Sequence, residues 1–70
     1  MKVSARNQLK GKVKSIQEGM VNTEIVIELA PGVEITSIIT KTSAESLGIR
    51  EGMEVYAVVK ASNVMVGVDH

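Results

Sequence analysis

Residues 4–12 concentrate side chains that hold anions. The run Ser-Ala-Arg-Asn-Gln-Leu-Lys-Gly-Lys supplies a hydroxyl, a guanidinium, two amides and two ammonium groups, and no carboxylate follows before Glu18. Hydrogen-bond donors of this kind bind oxyanions well when they converge, and more strongly where they carry charge. A second acid-free run, Lys60-Ala61-Ser62-Asn63, lies near the other end of the sequence. The two runs predict an anion site only if the fold brings them together.

The same residues also have ordinary structural explanations. Basic side chains are usually solvated at the surface, and a lysine at the end of a strand often protects a sheet edge. The pair Ser62-Asn63 is typical of a turn. The residue types alone therefore leave a binding role and a structural role both open.

Composition excludes several classes of protein. The 70 residues predict one domain, and the eight basic and eight acidic side chains cancel, so we expect no broad attraction to nucleic acid or to an anionic membrane. Without cysteine, and with His70 as the single histidine, we expect no metal site, no cofactor and no enzyme activity. No apolar run suits a membrane span or a signal peptide, which predicts a cytoplasmic protein. A core this small needs further support, so we also expect self-association.

Alternation of apolar and polar residues predicts five short strands. They cover residues 7–17, 21–29, 33–40, 54–60 and 64–68. A change from odd to even apolar positions between Val13 and Ile16 indicates a bulge in the first strand. Glu18-Gly19 and Ala30-Pro31-Gly32 predict the first two turns.

One short helix is predicted between the third and fourth strands. Thr42-Ser43-Ala44-Glu45 matches a capping box with Thr42 as the N-cap, and Gly48 is placed to end the helix. The order of elements predicts an all-β fold, a small five-stranded OB-like Greek-key barrel with one short helix between strands 3 and 4.

Alternation predicts that the odd positions of strands 2 to 4, among them Ile25 and Ile27, face the core. The opposite face of the sheet carries several apolar residues. They are Val26, Ile38, Tyr56 and Val58. Exposed together, they predict a contiguous patch of the kind that marks an interface between subunits.

The first acid-free run also resembles a known family. Residues 4–13 resemble the opening of the molbindins, the small molybdate-binding Mop proteins, whose fold unit also occurs as the molybdate- and tungstate-binding domain of some transporter ATPases and transcription regulators. The likeness continues through residues 35–39, 46–49, 51–52 and 57–65. Because it covers nearly the whole chain, it predicts a single domain of the Mop or TOBE type over residues 1–70.

The resemblance implies how the site is assembled. Molbindins resemble OB-type barrels that exchange strands into dimers, and the dimers form a hexamer, a trimer of dimers, with oxyanions between subunits. The ligands implied by position, from one subunit and its neighbour, are Ser4, Ala5, Arg6, Asn7, Lys60, Ala61 and Ser62. A second oxyanion site near a three-fold axis is implied around Thr36, Ser37 and Ile38 or around Lys41, Thr42 and Ser43.

The function implied is an intracellular store that binds molybdate or tungstate reversibly. Molybdate is a tetrahedral dianion whose four oxygens accept hydrogen bonds, which suits a pocket that offers donors and positive charge. An OB-type nucleic-acid module is the first alternative, but the single tyrosine and zero net charge oppose it. An oxyanion-sensing regulatory subunit is the second alternative, and it needs the same site as a store.

Overall fold

The structure, a computed structural model, describes residues 1–69, and His70 lies outside the described residues. Its elements follow in the order β1, β2, β3, α1 and β4. The strands are β1 (Asn7–Glu18), β2 (Asn22–Ala30), β3 (Val33–Thr40) and β4 (Glu54–Val59), and the helix is α1 (Lys41–Leu47). A single 3₁₀ turn, Ala61–Asn63, follows β4. No helix within residues 1–69 is long and apolar enough to cross a lipid bilayer.

The four strands form one antiparallel sheet in the order β3-β2-β1-β4. Three strands joined in sequence, with a fourth that returns beside the first, make a Greek key. This confirms the predicted topology for the four strands. The two edge strands, β3 and β4, line the same groove of about 340 Å³, so the sheet curls into half a barrel.

The predicted bulge in β1 and the predicted turn between β1 and β2 are both confirmed. The pairing of β1 with β2 shifts between Val13 and Ser15, where the apolar pattern predicted a bulge. At the following turn the amide of Gly19 donates to the carbonyl of Asn22 at 2.8 Å. The next turn contains Gly32, whose φ of 77° lies in the left-handed region that glycine adopts without strain.

The helix starts two residues earlier than predicted. Thr40, the last residue of β3, is the N-cap, and its Oγ1 accepts from the amide of Ser43 at 3.0 Å. Thr42 lies inside the helix and Glu45 is not in the first turn, so the predicted capping box is wrong. The amide of Lys41 donates to the carbonyl of Val21 at 2.8 Å, which extends the β2–β3 pairing by one residue beyond Asn22 and Thr40.

The end of the helix agrees with the prediction. Gly48 has a φ of 65°, and its amide donates to the carbonyl of Glu45 at 3.1 Å. The amide of Ile49 reaches the carbonyl of Ala44 at 3.2 Å. The two bonds form a Schellman motif, which satisfies carbonyls that the helix leaves unpaired.

The fifth predicted strand is not confirmed. Residues 64–69 have no regular secondary structure, and the apolar side chains of this segment are exposed, Met65 and Val66 by 90% or more. A strand needs a hydrogen-bonded neighbour, and within the described chain no strand pairs with this segment.

The core is small. Its fully buried apolar residues are Val13, Ile25, Ile27 and Ala57. Thr23 is also buried, and its hydroxyl has no hydrogen-bond partner among residues 1–69. Alternation therefore assigned the inward face of β2 correctly.

The outward apolar residues do not form the single patch that was predicted. Ile38 on β3 is 66% exposed, and Tyr56 and Val58 on β4 are 50% and 44% exposed, whereas Val26 is half-buried. Val26 and Ile38 lie on neighbouring strands, but β1 separates both from β4. Polar Gln8 and Lys10 of β1 pair with Val58 and Tyr56, so the apolar residues fall into two groups.

Candidate anion-binding site

The pairing of β1 with β4 brings the two acid-free runs together. Asn7, the first residue of β1, lies opposite Val59, the last residue of β4. Because the strands are antiparallel, the residues before Asn7 and those after Val59 leave the sheet at the same end. They line one pocket of about 210 Å³, and its residues are Ser4, Ala5, Arg6, Lys60, Ala61 and Ser62.

The pocket, which we call the 4–6/60–62 pocket, is lined by positively charged groups and hydrogen-bond donors. Its lining contains one guanidinium, one ammonium and two hydroxyls, without a carboxylate or an imidazole. No ion pair joins Arg6 or Lys60 to a carboxylate among residues 1–69. Two positive charges are therefore available to an anion, and hydroxyls beside them supply neutral donors.

Solvent reaches most of this pocket. Ser4, Arg6, Lys60 and Ser62 are exposed, and Ala5 is half-buried. An ion can therefore enter the pocket from solution without displacing a structural element. Water also screens the attraction, so tight binding depends on several hydrogen bonds made at once.

The backbone after β4 is fixed by its own turn. The amide of Asn63 donates to the carbonyl of Lys60 at 2.9 Å, and that of Val64 donates to the carbonyl of Ala61 at 3.2 Å. These bonds do not use the amides of Ala61 and Ser62, which precede them in the turn. Both residues line the pocket, so their main-chain N–H groups are candidate donors to an anion.

Six of the seven predicted ligands line this pocket, and Asn7 does not. Asn7 is half-buried and pairs with Val59 at the start of the sheet. The resemblance implied that residues of one subunit meet Lys60 and Ser62 of a neighbour. In the structure one chain brings both runs together, because the β1–β4 ladder ends between them.

The two alternatives for a second oxyanion site, residues 36–38 and residues 41–43, lie in different parts of the described structure. Thr36 and Ser37 line the groove between β3 and β4, while Ile38 borders a shallow surface beside Asn22 and Glu24. Lys41 lines a separate pocket beneath α1, whose lining does not include Thr42 and Ser43. Alternation along β3 explains part of this separation, because neighbouring residues of a strand face opposite sides.

The pocket beneath α1 is larger than the 4–6/60–62 pocket but suits an anion less well. It has a volume of about 430 Å³, and its charged residues are Glu18, Lys41, Glu45 and Arg50. The two carboxylates offset the two cations, so this pocket offers a dianion no net attraction. Among residues 1–69, no cluster of three or more histidine, cysteine, aspartate or glutamate residues is placed to hold a metal ion.

One contact at the site was not anticipated from the sequence. The side-chain amide of Gln8 donates to the carbonyl of Ala5 at 3.1 Å. Gln8 does not line the 4–6/60–62 pocket, and it holds a residue that does. The sequence shows only that an amide side chain follows Ala5 by three residues. That spacing does not distinguish a side chain that makes this hydrogen bond from one that is solvated.

Comparisons with known proteins identify the family of this chain. The TOBE domain family matches residues 3–66, and the chain belongs to this family. Molybdenum-pterin-binding protein 2 of Clostridium pasteurianum is 54% identical over 66 residues, which cover 94% of this chain and 97% of that protein.

Solved structures show the same fold. MopII from Clostridium pasteurianum, in a form described as apo, is 52% identical and superposes with a TM-score of 0.89 over 96% of this chain and all of MopII. ModG, described as a cytoplasmic molybdate-binding protein and solved with molybdate bound, is 48% identical with a TM-score of 0.90. The match with ModG covers 99% of this chain and 49% of the ModG chain.

Proposed function

We propose that this chain binds molybdate, or the similar tungstate ion, in the 4–6/60–62 pocket and stores it reversibly. The observation that carries the proposal is the convergence of two acid-free segments from opposite ends of the sequence in one pocket with two cations. A relative with 54% identity is named for binding molybdenum-pterin, and the similar ModG was solved with molybdate bound. Those names support molybdenum as the element that this site holds.

The donor set fits a tetrahedral dianion. Arg6 and Lys60 balance its two negative charges, and the hydroxyls of Ser4 and Ser62 donate to its oxygens. The amides of Ala61 and Ser62 add main-chain donors. Sulfate carries the same charge but is smaller, so donors spaced for molybdate form longer and weaker hydrogen bonds to it. A protonated phosphate also needs an acceptor, and the pocket's side chains include no carboxylate to provide one.

Binding of this kind makes and breaks no covalent bond. The pocket has no carboxylate or imidazole in its lining to move a proton, and the relatives reported above are named for binding. The chain therefore acts as a binding protein, a single unit of the Mop or TOBE type. We place it in the cytoplasm, and the description of ModG as cytoplasmic supports this location.

We also propose that the protein assembles by exchanging its last segment. Both edges of the half-barrel, β3 and β4, line one groove, whose walls include Ile27, Ile35 and Ala57. Residues 64–68 are apolar and exposed and lack a strand partner in the described chain. Inserted between β3 and β4 of a second copy, this segment supplies the fifth strand and covers two sheet edges. The family resemblance extends the resulting dimer to a hexamer of three dimers.

Native mass spectrometry tests the ligand and the assembly together. With molybdate or tungstate we expect a hexamer that carries bound oxyanion, and with sulfate at the same concentration we expect none. A protein that takes up no molybdate, or that takes up sulfate equally, contradicts the binding proposal.

A matched pair of variants tests the exchanged segment separately. Val66→Asp puts a charge into residues 64–68 and should yield monomers, whereas Val21→Asp, at an exposed turn position outside the segment, should leave the assembly intact. A monomeric wild-type protein, or assembly that survives in Val66→Asp, contradicts the exchange.

A further inference from the structure

We infer that Gln8 is a positioning residue that holds residues 4–6 in their binding geometry before the oxyanion arrives. This inference rests on the proposed function, because it concerns the affinity of the 4–6/60–62 pocket. Gln8 lies on β1, opposite Val58, and does not line the pocket itself.

The two halves of the pocket are held very differently. Residues 60–62 belong to a turn with two main-chain hydrogen bonds, and they follow directly from β4. Residues 1–6 make a single hydrogen bond within the described chain, the one from Gln8 Nε2 to the carbonyl oxygen of Ala5 at 3.1 Å. One side chain therefore anchors half of the binding residues.

This contact also fixes the direction of a main-chain donor. The peptide between Ala5 and Arg6 is planar and trans, so its carbonyl and its N–H point in opposite directions. When Gln8 holds the carbonyl of Ala5, the N–H of Arg6 must point away from Gln8. Both residues of this peptide line the pocket.

The contact coincides with the end of the β1–β4 ladder. Asn7 pairs with Val59, and the same register extended by two residues places Ala5 opposite Ala61. In an antiparallel ladder every second residue pair is joined by main-chain hydrogen bonds. The amide of Val13 donates to the carbonyl of Met53, so counting in steps of two along this register makes the Ala5–Ala61 pair a hydrogen-bonded one. In a longer ladder the amide of Ala61 donates to the carbonyl of Ala5. Here Gln8 donates to that carbonyl instead, and the amide of Ala61 stays available to an anion.

Ordering a flexible segment lowers affinity, since fixing the backbone of each residue costs conformational entropy. A segment that is already held loses less on binding. A solvent-exposed hydrogen bond has a modest net effect, so its loss should weaken oxyanion binding by about three- to tenfold.

The test compares two glutamine variants on the same strand. Gln8→Met keeps the length of the side chain and removes the donor. Gln17→Met makes the same change at an exposed position of β1 whose side chain makes no hydrogen bond within residues 1–69. Molybdate affinity is measured by calorimetry, the order of residues 4–6 by the ¹⁵N heteronuclear NOE of the ligand-free protein, and global stability by the melting temperature.

We expect Gln8→Met alone to bind molybdate about three- to tenfold more weakly. Its NOE should fall at residues 4–6 and not at residues 60–63, while the melting temperature matches that of Gln17→Met. Gln8→Lys restores a donor and should restore the NOE. Its affinity is not compared, because the new charge itself attracts the anion.

The possible results separate this inference from the proposed function. A wild-type protein that does not bind molybdate ends the proposed function, and the inference falls with it. A wild-type protein that binds, with Gln8→Met binding equally well, overturns the role of Gln8 and leaves the proposed function standing. A melting temperature that falls in Gln8→Met but not in Gln17→Met assigns Gln8 a global structural role and also overturns the inference.

Discussion

Asn7 and Val59 lie opposite each other at the last pair of the β1–β4 ladder. This pairing places the segment before β1 beside the turn after β4, and six residues of the two segments line one pocket. The register of β1 and β4 brings together two segments from opposite ends of the sequence. The geometry of the site therefore depends on the pairing of these two strands.

The unpaired hydroxyl of Thr23 gives the first prediction. Thr23 is 1% exposed, and its Oγ1 has no partner among residues 1–69. Because a buried hydroxyl without a partner costs about 1–3 kcal/mol, Thr23→Val should raise the free energy of unfolding. Urea unfolding at one protein concentration measures the change. Thr42→Val, at an exposed position of α1, should change stability by less than about 0.5 kcal/mol, and a destabilised Thr23→Val would show that the hydroxyl has a partner.

Gly11 marks a close approach between β1 and β2. A Cβ added there lies 2.6 Å from the carbonyl oxygen of Glu28 and 2.7 Å from Cγ2 of Ile27. Because the nearest atom belongs to the backbone and the strands are paired, Gly11→Ala should destabilise the protein by about 1–3 kcal/mol. Thermal unfolding checks this against Ser15→Ala, at an exposed position of the same strand. If the two variants are equally stable, β1 and β2 can move apart at Gly11 without loss of folding free energy, which contradicts the prediction.

Alkaline pH should weaken the fold through two exposed ion pairs. The hydrogen bond from Lys14 to Glu34, together with their charge attraction, raises the pKa of Lys14 above its ordinary value of 10.5, and Glu54 does the same for the pKa of Lys10. A lysine whose pKa is higher in the folded state stabilises the protein below its unfolded pKa. That contribution is lost as pH rises through the folded pKa.

Urea unfolding between about pH 9 and pH 12 measures this loss. The unfolding midpoint should fall less steeply in Lys14→Met than in the wild-type protein. Lys2→Met, which removes a lysine that makes no ion pair within residues 1–69, should follow the wild-type curve. If the unfolding midpoints of the wild-type protein and Lys14→Met fall equally steeply with pH, the ion pair does not contribute to stability.

The sequence predicted the parts of the fold that depend on local pattern. Alternation on β2 placed Ile25 and Ile27 in the core, and the change of parity in β1 gave the bulge near Val13. Gly48 was correctly expected to end the helix, because a left-handed residue there satisfies the last carbonyls. In each case neighbouring residues carry the whole signal.

The rest depended on contacts that the local pattern does not contain. Thr40, which caps the helix in place of Thr42, is the last residue of β3 and pairs with Asn22 of β2, a contact between distant parts of the chain. Residues 64–68 have the composition of a strand, but pattern cannot say which neighbour pairs with them.

The 4–6/60–62 pocket was predicted only in part from the sequence. Its six lining residues were predicted from residue chemistry and the family resemblance together. The family resemblance also implied Asn7, the residue at which the first strand was correctly predicted to begin. Asn7 starts the ladder, and the pocket begins one residue earlier.

Calorimetric titration with molybdate of variants that each remove one positive charge tests the central claim most directly. Arg6→Ala and Lys60→Ala should each weaken binding by about ten- to a hundredfold, because each loses a charge-assisted hydrogen bond. Arg50→Ala and Lys12→Ala change net charge equally but lie outside the pocket, and they should bind as the wild-type protein does. Wild-type affinity in both Arg6→Ala and Lys60→Ala, or an equal loss in all four variants, would contradict the assignment of the pocket.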